Sequence, residues 1–127
     1  MPIPILVCDD LPEARTNLTG MLRHYEAAHQ LALEVETAGD GAELLDRWRP
    51  GRWALIFLDI FMPKLDGVEA ARKLRQAGEK CSIVFATTSR KHGLEGFELR
   101  VTDYLTKPFT QEDVDGAMDW FLQQLPK

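Results

Sequence analysis

The chain has 127 residues, 45% of them hydrophobic and 28% charged, a balance that indicates a single globular domain and excludes collagen-like, low-complexity and disordered chains. Its 15 basic and 20 acidic residues give a net charge of −5, and no run of Lys or Arg could follow a nucleic-acid backbone, so we expect no direct contact of this domain with nucleic acid. No apolar stretch approaches the roughly 20 residues that span a bilayer, and the N-terminus lacks a secretion signal, so we expect a cytoplasmic protein without a membrane partner.

The first half of the chain alternates between short apolar runs and helical patterns. Residues Ile3–Cys8 are continuously apolar, which is typical of a parallel strand covered on both faces. After Pro12, which suits the first turn of a helix, apolar side chains recur at helical spacing over residues 14–25. Residues 31–37 alternate in their second half and predict a strand near a sheet edge, and residues 42–48 predict a second helix.

The second half repeats this alternation. Apolar runs at residues 53–58 and 82–86 predict two more buried strands, and residues 101–105 predict a short fifth strand. Helical spacing covers residues 68–77 and 114–125. Five strands alternating with helical patterns predict an α/β domain with a doubly wound parallel sheet, five flanking helices and right-handed crossovers. We find no repeat or linker, so we expect one domain over residues 1–127 and no second domain in this chain.

Polar side chains follow four of the predicted strands. Asp9 and Asp10 follow the first strand, Asp59 the third, Thr87 the fourth and Lys107 the fifth. Because ligands of open α/β sheets bind beyond the carboxyl ends of the strands, we expect these five side chains to converge on one crevice.

The chemistry open to this set is narrow. Three carboxylates without a nearby His or Cys favour a hard cation with oxygen ligands, and Mg²⁺ fits this description. A carboxylate beside Mg²⁺ can attack an activated phosphoryl group and form an acyl phosphate, and Asp59 is the best placed nucleophile. Lys107 can then neutralise one phosphoryl oxygen and Thr87 can donate a hydrogen bond to another.

The polar residues at the strand ends belong to a longer pattern. It comprises Asp9-Asp10, Asp59 followed by Met-Pro-Lys-Leu-Asp-Gly at 62–67, Thr87, and Tyr-Leu-Thr-Lys-Pro-Phe at 104–109. In this combination the chain resembles, over its whole length, the receiver domains of bacterial two-component response regulators in the CheY-like superfamily. The resemblance implies a flavodoxin-like sheet of order 2-1-3-4-5.

The resemblance also implies roles for individual residues. Mg²⁺ would be held by Asp10, Asp59 and the backbone carbonyl of Phe61, with Asp9 acting through water. Asp59 would be phosphorylated by the phosphohistidine of a sensor histidine kinase or by a small acyl phosphate, in a self-phosphorylation followed by slow autodephosphorylation rather than conventional enzyme turnover. Thr87 and Tyr104 would form a switch pair.

The segment from Thr87 to Leu105 is similar to receivers of the LytR/AlgR-type subfamily, which often carries a LytTR DNA-binding domain downstream. Such an output domain is absent from this chain and is expected only as a partner in a longer protein. The resemblance further implies a homodimer through the face formed by the fourth helix, fifth strand and fifth helix.

Several of these residues also have purely structural interpretations. Asp9 and Asp10 could cap a helix, and Asp66 before Gly67 is better interpreted as a cap and turn than as a ligand. Lys107 precedes Pro108, where a cis peptide bond in a tight turn would give the lysine a fixed position. The two cysteines of the chain, Cys8 and Cys81, lack metal-ligand spacing and are expected to be buried free thiols.

Three other classes of protein compete with the receiver hypothesis. An aspartate-nucleophile phosphohydrolase would need Asp-x-Asp after the first strand, and the adjacent Asp9-Asp10 lacks that spacing. A flavin carrier would need a hydroxyl-rich loop where this chain has Asp-Leu-Pro-Glu at 10–13. A phosphorylation-independent interaction domain remains open at this point.

Two residues depart from the commonest receiver pattern. Phe61 stands where small or polar residues are frequent, and Thr88 stands where Ala or Gly is frequent. Both are expected to line the mouth of the site. A bulky apolar ring there should hinder the water that hydrolyses an acyl phosphate, so we expect a long-lived phosphorylated state.

Overall fold

The computed structural model describes residues 2–125, so residues 1, 126 and 127 of the expected domain lie outside the described range. The five strands are all parallel and form one sheet of order β2-β1-β3-β4-β5, which confirms the predicted fold class. Helices and strands alternate throughout. In chain order they are β1 (Ile3–Cys8), α1 (Pro12–His29), β2 (Leu33–Ala38), α2 (Gly41–Arg47), β3 (Leu55–Leu58), α3 (Gly67–Gln76), β4 (Ser82–Thr87), α4 (Gly93–Glu98), β5 (Asp103–Thr106) and α5 (Gln111–Gln124).

Both faces of the sheet are covered by helices. Every residue of β3 is buried, as expected for a central strand without a solvent face. Residues of β1, β3 and β4 that point one way pack with side chains of α1 and α5, and their neighbours that point the other way pack with α2 and α3. Within residues 2–125, no helix is both long and apolar enough to cross a membrane.

Three strands begin later than their sequence patterns indicate. Trp53 lies outside β3 although it is buried, and its indole ring is flanked by the guanidinium groups of Arg47 and Arg52. The β2 strand begins at Leu33 and β5 begins at Asp103. In each case the apolar run includes residues that pack against the core before the ladder starts.

The first residues of α1 and α3 show which of the acidic residues Asp9, Asp10 and Asp66 cap a helix. The Asp66 side chain accepts a hydrogen bond from the backbone N–H of Glu69 at 2.9 Å and caps α3, as predicted. By contrast, the N-cap of α1 is Leu11, which makes no side-chain cap, so neither Asp9 nor Asp10 occupies the cap position of that helix. The capping interpretation of this pair is therefore wrong.

Gly67 allows the start of α3 to pack against the loop that follows β3. Its N–H donates to the carbonyl of Ile60 at 2.8 Å. A methyl group at this position would overlap the backbone oxygen of Asp59 and lie 2.9 Å from Cα of Ile60. Because the obstacle is backbone, no side-chain movement relieves the overlap.

We predict that Gly67→Ala destabilises the fold by about 1–3 kcal/mol because the loop after β3 must shift. Gly20→Ala on α1 is the matched control: a methyl group there meets nothing within 4 Å. It should leave stability unchanged or raise it by up to about 1 kcal/mol, since alanine favours a helix interior. Urea unfolding measures both variants, and equal effects would contradict the close approach at Gly67.

Candidate functional site

The five predicted site residues lie at the carboxyl ends of four strands. Asp9 and Asp10 directly follow β1, and the N–H of Asp59 continues the ladder beyond β3 by donating to the carbonyl of Cys8 at 2.9 Å. Thr87 ends β4, and the N–H of Lys107 donates to the carbonyl of Thr87 at 2.7 Å. The convergence that the strand ends predicted is therefore present.

The three acids form a compact cluster. One carboxylate oxygen from each of Asp9, Asp10 and Asp59 lies within 4.8 Å of the other two. Asp9 is 5% exposed and Asp59 is 6% exposed, whereas Asp10 is more open to solvent. Burial raises the pKa of Asp59 above its ordinary value, and the negative charge of Asp9 acts in the same direction, against Lys107.

Lys107 is the cation that offsets this cluster. Its Nζ lies 2.6 Å from Oδ2 of Asp9 and 3.6 Å from Oδ2 of Asp59. The Lys107–Pro108 peptide bond is cis, the geometry that the sequence allowed at this position. A single ammonium group therefore bridges acids from two different strands. Three hard oxygen donors in one small space are typical of a Mg²⁺ site.

The two residues expected to act as a switch occupy different surroundings. Thr87 is fully buried; its Oγ1 makes no well-formed hydrogen bond among residues 2–125, although it lies near enough to the Asp59 carboxylate to lower its pKa. Tyr104 is partly buried on β5; its hydroxyl donates to the backbone carbonyl of Ser89, and its ring meets the edge of Phe85 at 5.9 Å between centroids. The aromatic side chain is thus tied to the loop that follows β4.

Phe61 and Thr88 are both exposed, consistent with positions at the mouth of the site. The ring of Phe61 is 51% exposed and meets the imidazole of His92 edge-on, with centroids 5.7 Å apart. His92 in turn lies 2.8 Å from a carboxylate oxygen of Glu95 through Nδ1. The loop after β3 therefore contacts the start of α4 directly.

Two contributors to this region escaped the sequence patterns. Arg15 donates from Nη1 to the backbone carbonyl of Asp9 at 2.7 Å and fixes the end of β1. The only available signal was its position one turn into α1, which does not distinguish it from a solvated arginine. The contact of His92 with Phe61 depends on loop conformation, and nothing in the sequence indicated it.

Of the expected free thiols, Cys8 is buried and Cys81 is partly buried.

A doubly wound sheet with three acids, a buried threonine and a lysine at its carboxyl edge defines the class of the two-component receiver domains. Consistent with this, residues 5–119 match the family model of the response regulator receiver domain, and the chain belongs to that family. It is a receiver domain of a two-component system, and this family is not one of classical enzymes. The phosphohydrolase and flavin-carrier hypotheses are thereby excluded.

Among known proteins, the chain is 35% identical over 121 residues to the sensory transduction protein LytT of Oceanobacillus iheyensis, covering 94% of this chain and 48% of LytT. It is 34% identical over 114 residues to LytR of Staphylococcus epidermidis, covering 90% and 44% respectively. The chain thus spans about half the length of these curated relatives. The response regulator TrrA of Thermotoga maritima, solved in complex with Mg²⁺–BeF, superposes with a TM-score of 0.79 at 26% identity, covering 94% of this chain and 98% of TrrA.

We predict that Asp59→Asn raises the free energy of unfolding of the metal-free domain at neutral pH. Because the fold raises the pKa of Asp59, the native state binds a proton at this carboxylate more tightly than the unfolded chain does. The ionised carboxylate therefore destabilises the fold at neutral pH, and this cost disappears as the pH falls through the raised pKa. The gain from Asp59→Asn should shrink on acidification. Urea unfolding with chelator measures it, with exposed Asp46→Asn as the control; a gain independent of pH would contradict the assignment.

Proposed function

We propose that Asp59 is the phosphoryl acceptor of this receiver domain. The observation that carries the proposal is the buried Asp59 carboxylate, which lies beside Asp9 and 3.6 Å from the ammonium group of Lys107. An oxygen of Asp59 forms the new bond to phosphorus while the phosphorus–nitrogen bond of a kinase phosphohistidine breaks, and the imidazole keeps the electron pair. A small acyl phosphate is an alternative donor, with its carboxylate as leaving group.

The metal in this proposal is Mg²⁺. Asp10, Asp59 and the backbone carbonyl of Phe61 hold it directly, and Asp9 does so through water. The three clustered carboxylates fit such an ion, and the Mg²⁺–BeF complex of the similar TrrA supports the proposal. When bound, Mg²⁺ supplies charge that neutralises the acids and the phosphoryl oxygens.

Lys107 and Thr87 complete the stabilisation of the transferred group. The ammonium group of Lys107 carries the positive charge that stabilises a phosphoryl oxygen. Because its Nζ is bound to Asp9 and lies only 3.6 Å from Asp59, a small movement would bring it to a phosphoryl group on Asp59. Thr87 offers a buried hydroxyl near Asp59 that makes no well-formed hydrogen bond in the described structure. A phosphoryl oxygen on Asp59 supplies the missing acceptor.

Phosphorylation then acts on an interaction face formed by α4, β5 and α5. As Thr87 moves toward the phosphoryl group, the bond from Tyr104 to the carbonyl of Ser89 breaks and the ring turns inward. On this face Leu94 is 68% exposed and Phe97 is 83% exposed, so α4 presents apolar area for a homodimer.

The wider setting follows from the same family. A sensor histidine kinase is the proposed phosphoryl donor, and the cytoplasm is the proposed location of this exchange. Residues 1–127 form one receiver domain. Because the chain spans 48% of LytT and 44% of LytR, we infer that a LytTR-type DNA-binding domain receives the signal in a longer protein.

Incubation with acetyl phosphate and Mg²⁺ should add one phosphoryl group, measured by intact-protein mass spectrometry. The added mass should be absent in Asp59→Asn and in the presence of chelator, because acceptor and metal are both required. Asp46→Asn, which removes an exposed carboxylate outside the cluster, should be phosphorylated normally. Undiminished labelling of Asp59→Asn would place the acceptor elsewhere.

Beryllofluoride with Mg²⁺ should convert the domain into a dimer, detected by analytical ultracentrifugation. Phe97→Ser should weaken this dimer by about tenfold or more, since an exposed aromatic ring on α4 is lost from the interface. Leu11→Ser removes another exposed apolar side chain, 54% exposed, from outside the face and should change little. A treated domain that stays monomeric, or equal effects of the two variants, would refute dimerisation through this face.

Phe61 should slow loss of the phosphoryl group. An aromatic ring cannot orient the attacking water, whereas an amide can, so Phe61→Asn should speed hydrolysis by roughly tenfold, or about 1.4 kcal/mol of barrier. Phe61→Leu keeps an apolar side chain and should change the rate far less. The measurement is decay of phosphorylated protein after donor removal at constant Mg²⁺. Equal or slower decay in Phe61→Asn would show that this side chain does not cover the water path.

A further inference from the structure

A second polar pocket lies at the opposite edge of the sheet from the acidic cluster. It has a volume of about 360 Å³ and is bounded by the end of α3, the amino ends of β4 and β5 and the last turn of α5. Ser82 begins β4, and Thr102 immediately precedes β5. The side chains that line it and bear on ligand binding are Arg75, Lys80, Ser82, Arg100, Thr102 and Gln124.

The charge of this pocket is opposite to that of the chain as a whole. The net charge of the chain is −5, yet three cations, Arg75, Lys80 and Arg100, converge here from three different segments. Among the described residues, no Asp or Glu lines the pocket, and none of the three cations forms an ion pair. Within the described part of the chain, no direct ion pair therefore relieves their mutual repulsion.

Arg75 is the fixed member of this group. Its Nε donates to the carbonyl of Leu99 and its Nη1 to the carbonyl of Glu79, both at 2.8 Å, so the guanidinium plane is held in place. Burial lowers the pKa of Arg75 and the charge of Arg100 acts in the same direction, whereas the side chain of Cys81 and the charge of Glu79 oppose them. A partly buried cation held beside another cation is costly unless an anion accompanies it.

The nearest acid in sequence, Glu79, is already occupied. Its carboxylate accepts hydrogen bonds from Nε1 of Trp48 at 2.9 Å and from the backbone N–H groups of Gly51 at 3.3 Å and Cys81 at 3.0 Å. These bonds hold the pKa of Glu79 below its ordinary value, although burial opposes them. The carboxylate of Glu79 therefore binds the loops beside the pocket and does not line it, and its charge acts on Arg75 only from outside the pocket.

We propose that this pocket binds a small, multiply charged oxyanion, the phosphate or carboxylate groups of a free metabolite-sized ligand. Arg75 presents a fixed guanidinium, Lys80 and Arg100 add charge from exposed side chains, and the hydroxyls of Ser82 and Thr102 can donate hydrogen bonds. Thr102 currently donates to Oε1 of Gln124 at 3.2 Å, so ligand binding would also reach α5. The site is separate from Asp59, and it would let a soluble anion bias a domain that phosphorylation also controls.

Pyrophosphate and citrate, titrated in the absence of Mg²⁺ and at constant ionic strength, test the site. Omitting the metal leaves the acidic cluster repulsive to anions. In amide NMR spectra, residues 80–82 and 100–102 should show saturable shifts, while Asp59 and Lys107 should not. Saturation with pyrophosphate only would assign the site to phosphate groups, and saturation with citrate only would assign it to carboxylates. Shifts that do not saturate, or that centre on Lys107, would overturn the proposal.

Two double variants distinguish a specific binding site from non-specific attraction of anions to positive charge. Lys80→Gln combined with Arg100→Gln changes exposed side chains and should weaken binding by about tenfold or more without loss of the dispersed spectrum. Lys73→Gln combined with Lys91→Gln removes the same charge from exposed positions outside the pocket and should weaken binding by less than about twofold. If both double variants weaken anion binding equally, the binding depends only on the overall charge of the domain, and the proposed site is refuted. Arg75 is left unchanged because it supports the α3–β4 and α4–β5 loops.

Discussion

The fold depends on a compromise between three acids and one lysine. Parallel strands bring Asp9 and Asp59 together in a place where little water reaches them, and the repulsion between their carboxylates opposes the packing of β1 against β3. Lys107 follows β5, the edge strand nearest β4, and its ammonium group offsets that repulsion. The charges of the site are consequently balanced well enough for the domain to fold, and under the proposed function Mg²⁺ and a phosphoryl group would change the same balance.

The parts of the site that the sequence predicted are those governed by strand ends and helix caps. Asp9, Asp59 and Lys107 follow apolar runs directly, and parallel strands bring their carboxyl ends to one edge. Asp66 was recognisable as a cap because it stands just before a helical pattern. Such local rules do not depend on the conformation of any loop.

The remaining details depend on contacts that local patterns do not encode. The amide of Leu31 closes α1 by bonding to Glu26, and the amide of Val101 closes α4 by bonding to Gly96, so both residues end helices where their apolar character predicted strands. Phe61 contacts His92 at the start of α4, and the hydroxyl of Tyr104 donates to the carbonyl of Ser89 in the loop after β4. The basic pocket combines cations from three segments with no fixed spacing, and no motif describes it.

The bond between Lys107 and Asp9 joins residues 98 positions apart in sequence. A nascent chain therefore carries its acids long before the lysine that balances them has been synthesised, and β5 must join the sheet before the charges are matched. Any local opening of the C-terminal segment exposes the same imbalance. A partly folded chain therefore lacks the ammonium group that balances Asp9 and Asp59, and under the proposed function only a fully folded molecule could accept a phosphoryl group.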